Sequence, residues 1–170
     1  MVSDHFRRTT IKRLASERLG LRFGCCDWMV KSLLDCGVSQ YRIDVYDLDT
    51  PFTYPDFSVM AFPLVHNVPN CGYHISGDGW SGSDGACIFY ATDTNNMDDI
   101  SAPGYDLYLI EANYTEADIV ERIRRKGESG EHVYEWGVLE NHLSYEKAMD
   151  WLYRQMGPDS QYVLLHEHSD

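Results

Sequence analysis

Two hydrophobic periods alternate along this sequence, and their alternation constrains the fold more than any other feature. Apolar residues spaced three or four apart are typical of amphipathic helices, and short alternating apolar runs are typical of strands. Helices are predicted over residues 5–19, from Asp27 to Gly37, and after caps at Thr115 and Ser144. Strands are predicted over residues 21–26, 41–46, 58–66, 72–76, 85–91, 105–110 and 162–165. Strands interspersed with helices favour an α/β layered domain with a mixed sheet.

The length and the charge of the chain narrow its class. Its 170 residues amount to one domain, predicted over residues 1–170. No run approaches the ~20 apolar residues of a membrane span, and the N-terminus lacks an apolar signal core. We therefore expect a cytoplasmic location and no membrane partner. A formal net charge of −13 argues against nonspecific nucleic-acid binding. It does not exclude a nuclease, because bound divalent metals reverse the local potential.

Five cysteines lie within apolar runs and lack the C-x-x-C spacing of a zinc-thiolate site. Cysteines in such runs behave as small apolar residues, so reduced core thiols are predicted. These residues are Cys25, Cys26, Cys36, Cys71 and Cys87.

Histidines and aspartates stand where apolar strands end or where helices begin. His66 ends one apolar run, Asp93 follows another, and His142 precedes the cap of the last helix. Asp4 and His5 open the first predicted helix. Polar groups at strand ends can converge over a sheet edge, and imidazole with carboxylate suits zinc, manganese or iron. Each residue alone is better explained as a turn or a cap, so the hypothesis of a metal site depends on the joint pattern.

Five segments in a fixed order carry a family resemblance over roughly residues 58–170. They are PLVHNVPNCGY at 63–73, YATDT at 90–94, LYLIEAN at 107–113, NHLS at 141–144 and VLLH at 163–166. Each segment is a weak motif, but together they resemble the metallo-β-lactamase-fold metallo-hydrolases. The closest resemblance is to the phosphodiesterase and nuclease branch of that superfamily. It implies an αββα layered sandwich with mixed sheets.

The family's H-x-H-x-D-H motif is matched only in its last two positions, Asp4 and His5. The second histidine of the motif would fall on Val2, and the first would precede Met1. The resemblance therefore implies that the first strands of the fold are missing. The metal ligands that it retains are Asp4, His5, Asp93 and His142 at one site, and His66 with the bridging Asp93 at the other.

The activity implied by the resemblance is metal-dependent hydrolysis of a phosphodiester, in a small molecule or a nucleotide. One or two divalent ions, zinc or else manganese or iron, would supply an attacking hydroxide at Asp93. His166 would protonate the leaving group or hold a phosphate.

Two other interpretations remain open at this stage. The chain is alternatively a non-catalytic or incomplete protein of this fold, acting as a binding module. A second copy or a complementing N-terminal segment would then be its partner. A cofactor-binding domain is suggested only by GDGWSG at residues 77–82, which matches G-x-G-x-x-G by letter. No helical pattern follows it, so a hairpin loop is favoured there.

Overall fold

The N-terminal part of the chain forms a small unit of two helices and two strands. The structure is a computed structural model that describes residues 6–77 and 85–166. In it, α1 (Arg8–Glu17) and α2 (Asp27–Leu34) pack beside β1 (Phe23–Cys25) and β2 (Ile43–Val45), which pair in parallel. A core of its own holds this unit together, formed by Ala15, Cys25, Met29, Leu33 and Val38.

A six-stranded mixed sheet forms the larger part of the structure. Its strands follow chain order, β3-β4-β5-β6-β7-β8. Pairing is antiparallel from β3 to β6 and parallel from β6 to β8. Consequently β4, β6, β7 and β8 all run in the same direction. The strands are β3 (Pro51–Thr53), β4 (Phe57–Pro63), β5 (Cys71–Gly77), β6 (Cys87–Ala91), β7 (Leu107–Glu111) and β8 (Gln161–Leu165).

Three helices, α3 (Glu116–Ser129), α4 (Glu135–Asn141) and α5 (Tyr145–Gln155), complete the described fold. Thr115 and Ser144 cap α3 and α5: their side chains accept hydrogen bonds from the backbone N–H groups of Asp118 and Lys147. These N–H groups have no partner within the first turn of a helix. The apolar face of α5 packs on the sheet. This main core includes Phe89, Tyr108, Ile110, Ala148, Trp151 and Leu152.

Most of the predicted elements are confirmed, with shifted ends. The strand predicted over residues 41–46 begins only at Ile43, because residues 40–42 form a 3₁₀ turn. The strand predicted over residues 58–66 ends at Pro63, so His66 lies in the following loop. Two elements were not predicted. Strand β3 begins at a proline, which is tolerated at a sheet edge, and α4 is short with Gly137 at its centre.

The glycine-rich residues 78–84 lie outside the described part of the chain. The strands on either side of them, β5 and β6, pair antiparallel, as a hairpin requires. Within the described ranges, no helix has both the length and the apolar character needed to cross a membrane.

Gly72 in β5 tests how tightly this sheet packs. A Cβ at this position would lie 2.3 Å from Cζ of Phe62 and 2.7 Å from the main-chain oxygen of Tyr90. We expect Gly72→Ala to lower the free energy of unfolding by about 2–3 kcal/mol, because the main-chain oxygen cannot move aside cheaply. Urea denaturation measures the change.

Gly127→Ala is the matched control. A Cβ at this position in α3 meets nothing within 4 Å, so we expect a gain of about 0.5–1 kcal/mol from helix propensity. Equal effects of the two substitutions would contradict the packing described for β5.

Candidate metal centre

The strand order brings polar residues to one edge of the sheet. Since β4, β6, β7 and β8 run in the same direction, their carboxyl ends meet at that edge. Asp93 follows β6, Glu111 is the last residue of β7, and His166 follows β8. His66 lies three residues beyond β4, and His142 directly follows α4.

Four of these residues form a compact group, which we call the strand-end cluster: Asp93, Glu111, His142 and His166. Each offers one nitrogen or oxygen atom, and the four atoms all lie within 4.8 Å of one another. Both carboxylates are buried, whereas the two imidazoles are partly exposed. The cluster is therefore open to solvent or substrate through its histidines.

Glu111 is the centre of the cluster. Its side chain is fully buried, and Oε1 lies 2.5 Å from Nδ1 of His142 and 3.1 Å from Nδ1 of His166. Oε2 accepts the backbone N–H of Thr94 at 2.9 Å. Burial alone would raise the pKa of Glu111, but the hydrogen bonds from the two histidines outweigh it, and the pKa is lowered. Glu111 is thus a buried carboxylate that is charged and fully engaged.

Asp93 is held by its main chain as well as by its side chain. Nδ2 of Asn70 donates to the main-chain oxygens of Thr92 and Asp93, at 2.8 and 2.7 Å. Asp93 has a φ of 57°, a left-handed conformation that is uncommon for a residue other than glycine. Its Oδ1 lies 3.2 Å from Nδ1 of His166 and 3.9 Å from Nδ1 of His142.

His166 is also left-handed, with a φ of 58°. Hydrogen bonds to Asp93 and then to Glu111 favour its charged form more than burial opposes it, and they raise its pKa to about 10. Two left-handed residues in one cluster store strain, which a fold retains where the surrounding contacts enforce it.

His66 lies beside the cluster. Its ring centroid is 5.7 Å from that of His142. The loop that carries it is fixed on both sides, since the backbone N–H groups of Val65 and Asn67 bond to the side chains of Thr94 and Asn141. The structure therefore brings His66 close to His142. The predicted ligands Asp4 and His5 lie outside the described residues.

Glu111 is the cluster residue that the sequence-based prediction missed as a functional group. Glu111 is the last residue of a buried apolar strand, and Asp93 lies two residues beyond another. A carboxylate at the end of such a strand is the sequence signal that could have identified Glu111.

The donor set of the cluster fits a divalent transition metal. Two imidazoles and two carboxylates suit zinc, manganese or iron. Histidines that bind metals commonly donate their other ring N–H to a buried carboxylate, as Nδ1 of His142 does toward Glu111. Because Nδ1 of His142 is engaged by Glu111, Nε2 is the nitrogen of His142 that would bind a metal.

Removing the central carboxylate tests the structure of the cluster. We expect Glu111→Ala to lower the free energy of unfolding by about 2–4 kcal/mol, because it removes the acceptor of Thr94 N–H and of His142 and one of the two carboxylate partners of His166. Glu111→Gln keeps the shape and one acceptor oxygen, and we expect it to cost less. Thermal and urea unfolding compare the variants, and a Glu111→Gln variant as stable as the unsubstituted chain would contradict a role for the carboxylate charge.

The raised pKa of His166 predicts how the stability of the metal-free chain depends on pH. Its folded pKa of about 10 lies above the ordinary value of 6.5. The stabilisation is therefore complete below pH 6.5 and is lost as the pH rises toward 10. We expect His166→Gln to remove about 1–2 kcal/mol at pH 6.5 and much less at pH 9.5, measured by urea unfolding with a chelator present. An equal loss at both values would contradict the charged pair.

No protein-family model matches this sequence, and no curated protein is found as a relative. Among solved structures, the metallo-β-lactamase-fold protein YhfI from Bacillus subtilis is similar with a TM-score of 0.63 and 15% identity. The match covers 98% of this chain and 64% of YhfI, so the chain spans less than two thirds of that protein.

Two further solved structures match with lower scores. Human tRNase Z, short form, has a TM-score of 0.43 and 20% identity, over 74% of this chain and 43% of that one. CmlA, a diiron β-hydroxylase from Streptomyces venezuelae, has a TM-score of 0.41 and 13% identity, over 73% and 25%. The similarity to YhfI extends over nearly the whole described fold, with its mixed sheet and helices. This chain therefore has the metallo-β-lactamase fold, as the order of its motifs predicted.

Proposed function

We propose that this chain is a divalent-metal-dependent hydrolase that acts on phosphodiester bonds. The observation that carries the proposal is the strand-end cluster, in which two carboxylates and two histidines meet at one edge of a metallo-β-lactamase fold. Residues whose pKa values are perturbed by burial together with a specific charge partner are candidates for a functional site, and Glu111 and His166 are perturbed in this way.

Asp93 and His142 are the proposed metal ligands within the described residues, with His66 as a third beside them. Asp4 and His5 are proposed to complete the set on the strength of the motif resemblance. Zinc is the proposed metal, and manganese and iron fit the same donors. A bound divalent metal lowers the pKa of water to about 7 and neutralises charge on phosphoryl oxygens.

The chain's own residues supply orientation and proton transfer. Glu111 fixes the ring of His142 through Nδ1, so that this histidine presents a defined nitrogen. His166 is held by Asp93 and Glu111 at the open side of the cluster, where its imidazole is 29% exposed. We assign to His166 the transfer of a proton to the leaving oxygen, or a hydrogen bond to a phosphate.

The charge of the chain favours a small or locally bound substrate over a long polyanion. At a net charge of −13, long-range attraction of nucleic acid is absent, and recognition has to come from the site itself. A small phosphodiester or a nucleotide diester is therefore the proposed substrate class.

Metal content and hydrolysis, measured together, test the proposal. We expect the purified chain, loaded with zinc or manganese and desalted, to retain at least about one ion. We expect it to hydrolyse bis(p-nitrophenyl) phosphate in a chelator-sensitive reaction. Asp93→Ala should lose the metal and reduce hydrolysis by at least about 100-fold.

Asp159→Ala is the matched control, since it removes an exposed carboxylate in a turn outside the cluster. It should keep both the metal and the activity. A chain that retains no metal, or metal binding that survives Asp93→Ala, would overturn the proposed site. Tight metal binding without hydrolysis would overturn the enzymatic role and leave the metal site standing.

A further inference from the structure

Two buried thiols meet where the N-terminal unit contacts the main sheet. Cys26 lies between β1 and α2, and Cys71 is the first residue of β5. Their sulfur atoms are 3.5 Å apart, within hydrogen-bond distance, and both cysteines are reduced. The two residues are 45 positions apart in the sequence, so the contact is a product of the fold.

The surroundings of the pair distinguish it from ordinary core cysteines. Both residues are only 2% exposed and belong to a cluster with Tyr46, Val59 and Ala61. The hydroxyl of Tyr73 lies 3.4 Å from the sulfur of Cys71. A cavity of about 280 Å³ is lined by both thiols and by Tyr73, and its volume admits a molecule the size of a peroxide.

We propose that Cys26 and Cys71 are a reversible oxidation site, at which a peroxide-class oxidant closes a disulfide between the N-terminal unit and the six-stranded sheet. The bond would join Cys26, beside the parallel pair β1–β2, to the start of β5. It would restrict separation of two units that each have a core of their own and meet in the small cluster around this pair.

The chemistry needs only hydrogen peroxide as oxidant. The Cys71 thiolate attacks one peroxide oxygen, the O–O bond breaks, and a Cys71 sulfenic acid forms as hydroxide leaves. The Cys26 sulfur then attacks the sulfur of Cys71, the S–O bond breaks, and a second hydroxide leaves. With the two thiol protons, the products are one disulfide and two waters. Both sulfurs are oxidised, and the peroxide is reduced.

Cys71 is the sulfur placed to react first. The hydrogen bond that Cys26 donates is the chief cause that lowers the pKa of Cys71 to about 6, and Tyr73 adds to it, although burial acts in the opposite direction. Burial is the main cause that raises the pKa of the adjacent Cys25 to about 11. Successive residues of an extended segment face opposite sides. Cys25 therefore packs in the core of the N-terminal unit, whereas Cys26 contacts Cys71.

Mass spectrometry of the full chain tests the site. After treatment with hydrogen peroxide, we expect the intact mass to fall by about 2 Da, since two hydrogens are lost. Blocking the remaining thiols should then label Cys25, Cys36 and Cys87 and leave Cys26 and Cys71 unlabelled. Proteolysis should give one cross-linked peptide that contains Cys26 and Cys71. The oxidised chain should melt about 5–10 °C above the reduced one, and a reductant should reverse both changes.

Cys26→Ser and Cys71→Ser should each abolish the cross-link and the rise in melting temperature. Cys36→Ser is the matched control, because Cys36 is similarly buried but lies outside the pair, and it should preserve both. Oxidation confined to Cys87, cross-links between other pairs, or alkylation of Cys26 and Cys71 after peroxide would overturn the proposal. The peptide map of the unsubstituted chain decides the matter even if a variant fails to fold.

Discussion

The buried carboxylate of Glu111 is the interaction on which the site depends. Moving a charge of this kind out of water costs several kcal/mol unless strong partners replace the solvent. Here the partners come from separate elements: His142 after α4, His166 after β8 and Thr94 after β6. Because one carboxylate satisfies all three, the ends of these elements cannot shift independently. The charge of Glu111 therefore links the sheet edge to the helical layer and also orients the histidines.

The direction of the strands explains why this edge carries the chemistry. Parallel pairing of β6, β7 and β8 delivers Asp93, Glu111 and His166 to neighbouring positions, and apolar residues such as Phe89 and Ile110 hold the strands rigid behind them. The left-handed turns at Asp93 and His166 then direct polar side chains over the edge. Asn70 restrains the first of these turns through two main-chain oxygens. The cluster is thus built from local turns on a rigid frame.

The sequence predicted seven of the eight described strands, four of the five described α-helices and the fold, because the hydrophobic periods and motif order are local signals. It also placed Asp93 and His166 after strands and His142 before the last helix, where the structure has them. The metal-ligand roles of Asp93 and His142 and the proton-transfer role of His166 remain predictions. Glu111 was missed as a member of the cluster, since a carboxylate closing an apolar strand resembles an ordinary strand end until its partners are known. Strand β3 and helix α4 were missed because they have only three and seven residues, which are too few to show a clear hydrophobic period. The Cys26–Cys71 contact depends on the docking of two units and has no local pattern.

The central claim is that the strand-end cluster holds a divalent metal. The most direct measurement is a crystal structure of the zinc-loaded chain, with anomalous diffraction data collected above and below the zinc absorption edge. We predict an anomalous peak within about 2.0–2.3 Å of a carboxylate oxygen of Asp93 and a ring nitrogen of His142. A map without a peak at these residues, with Glu111 still bonded to both histidines, would contradict the claim and leave the cluster as a structural network.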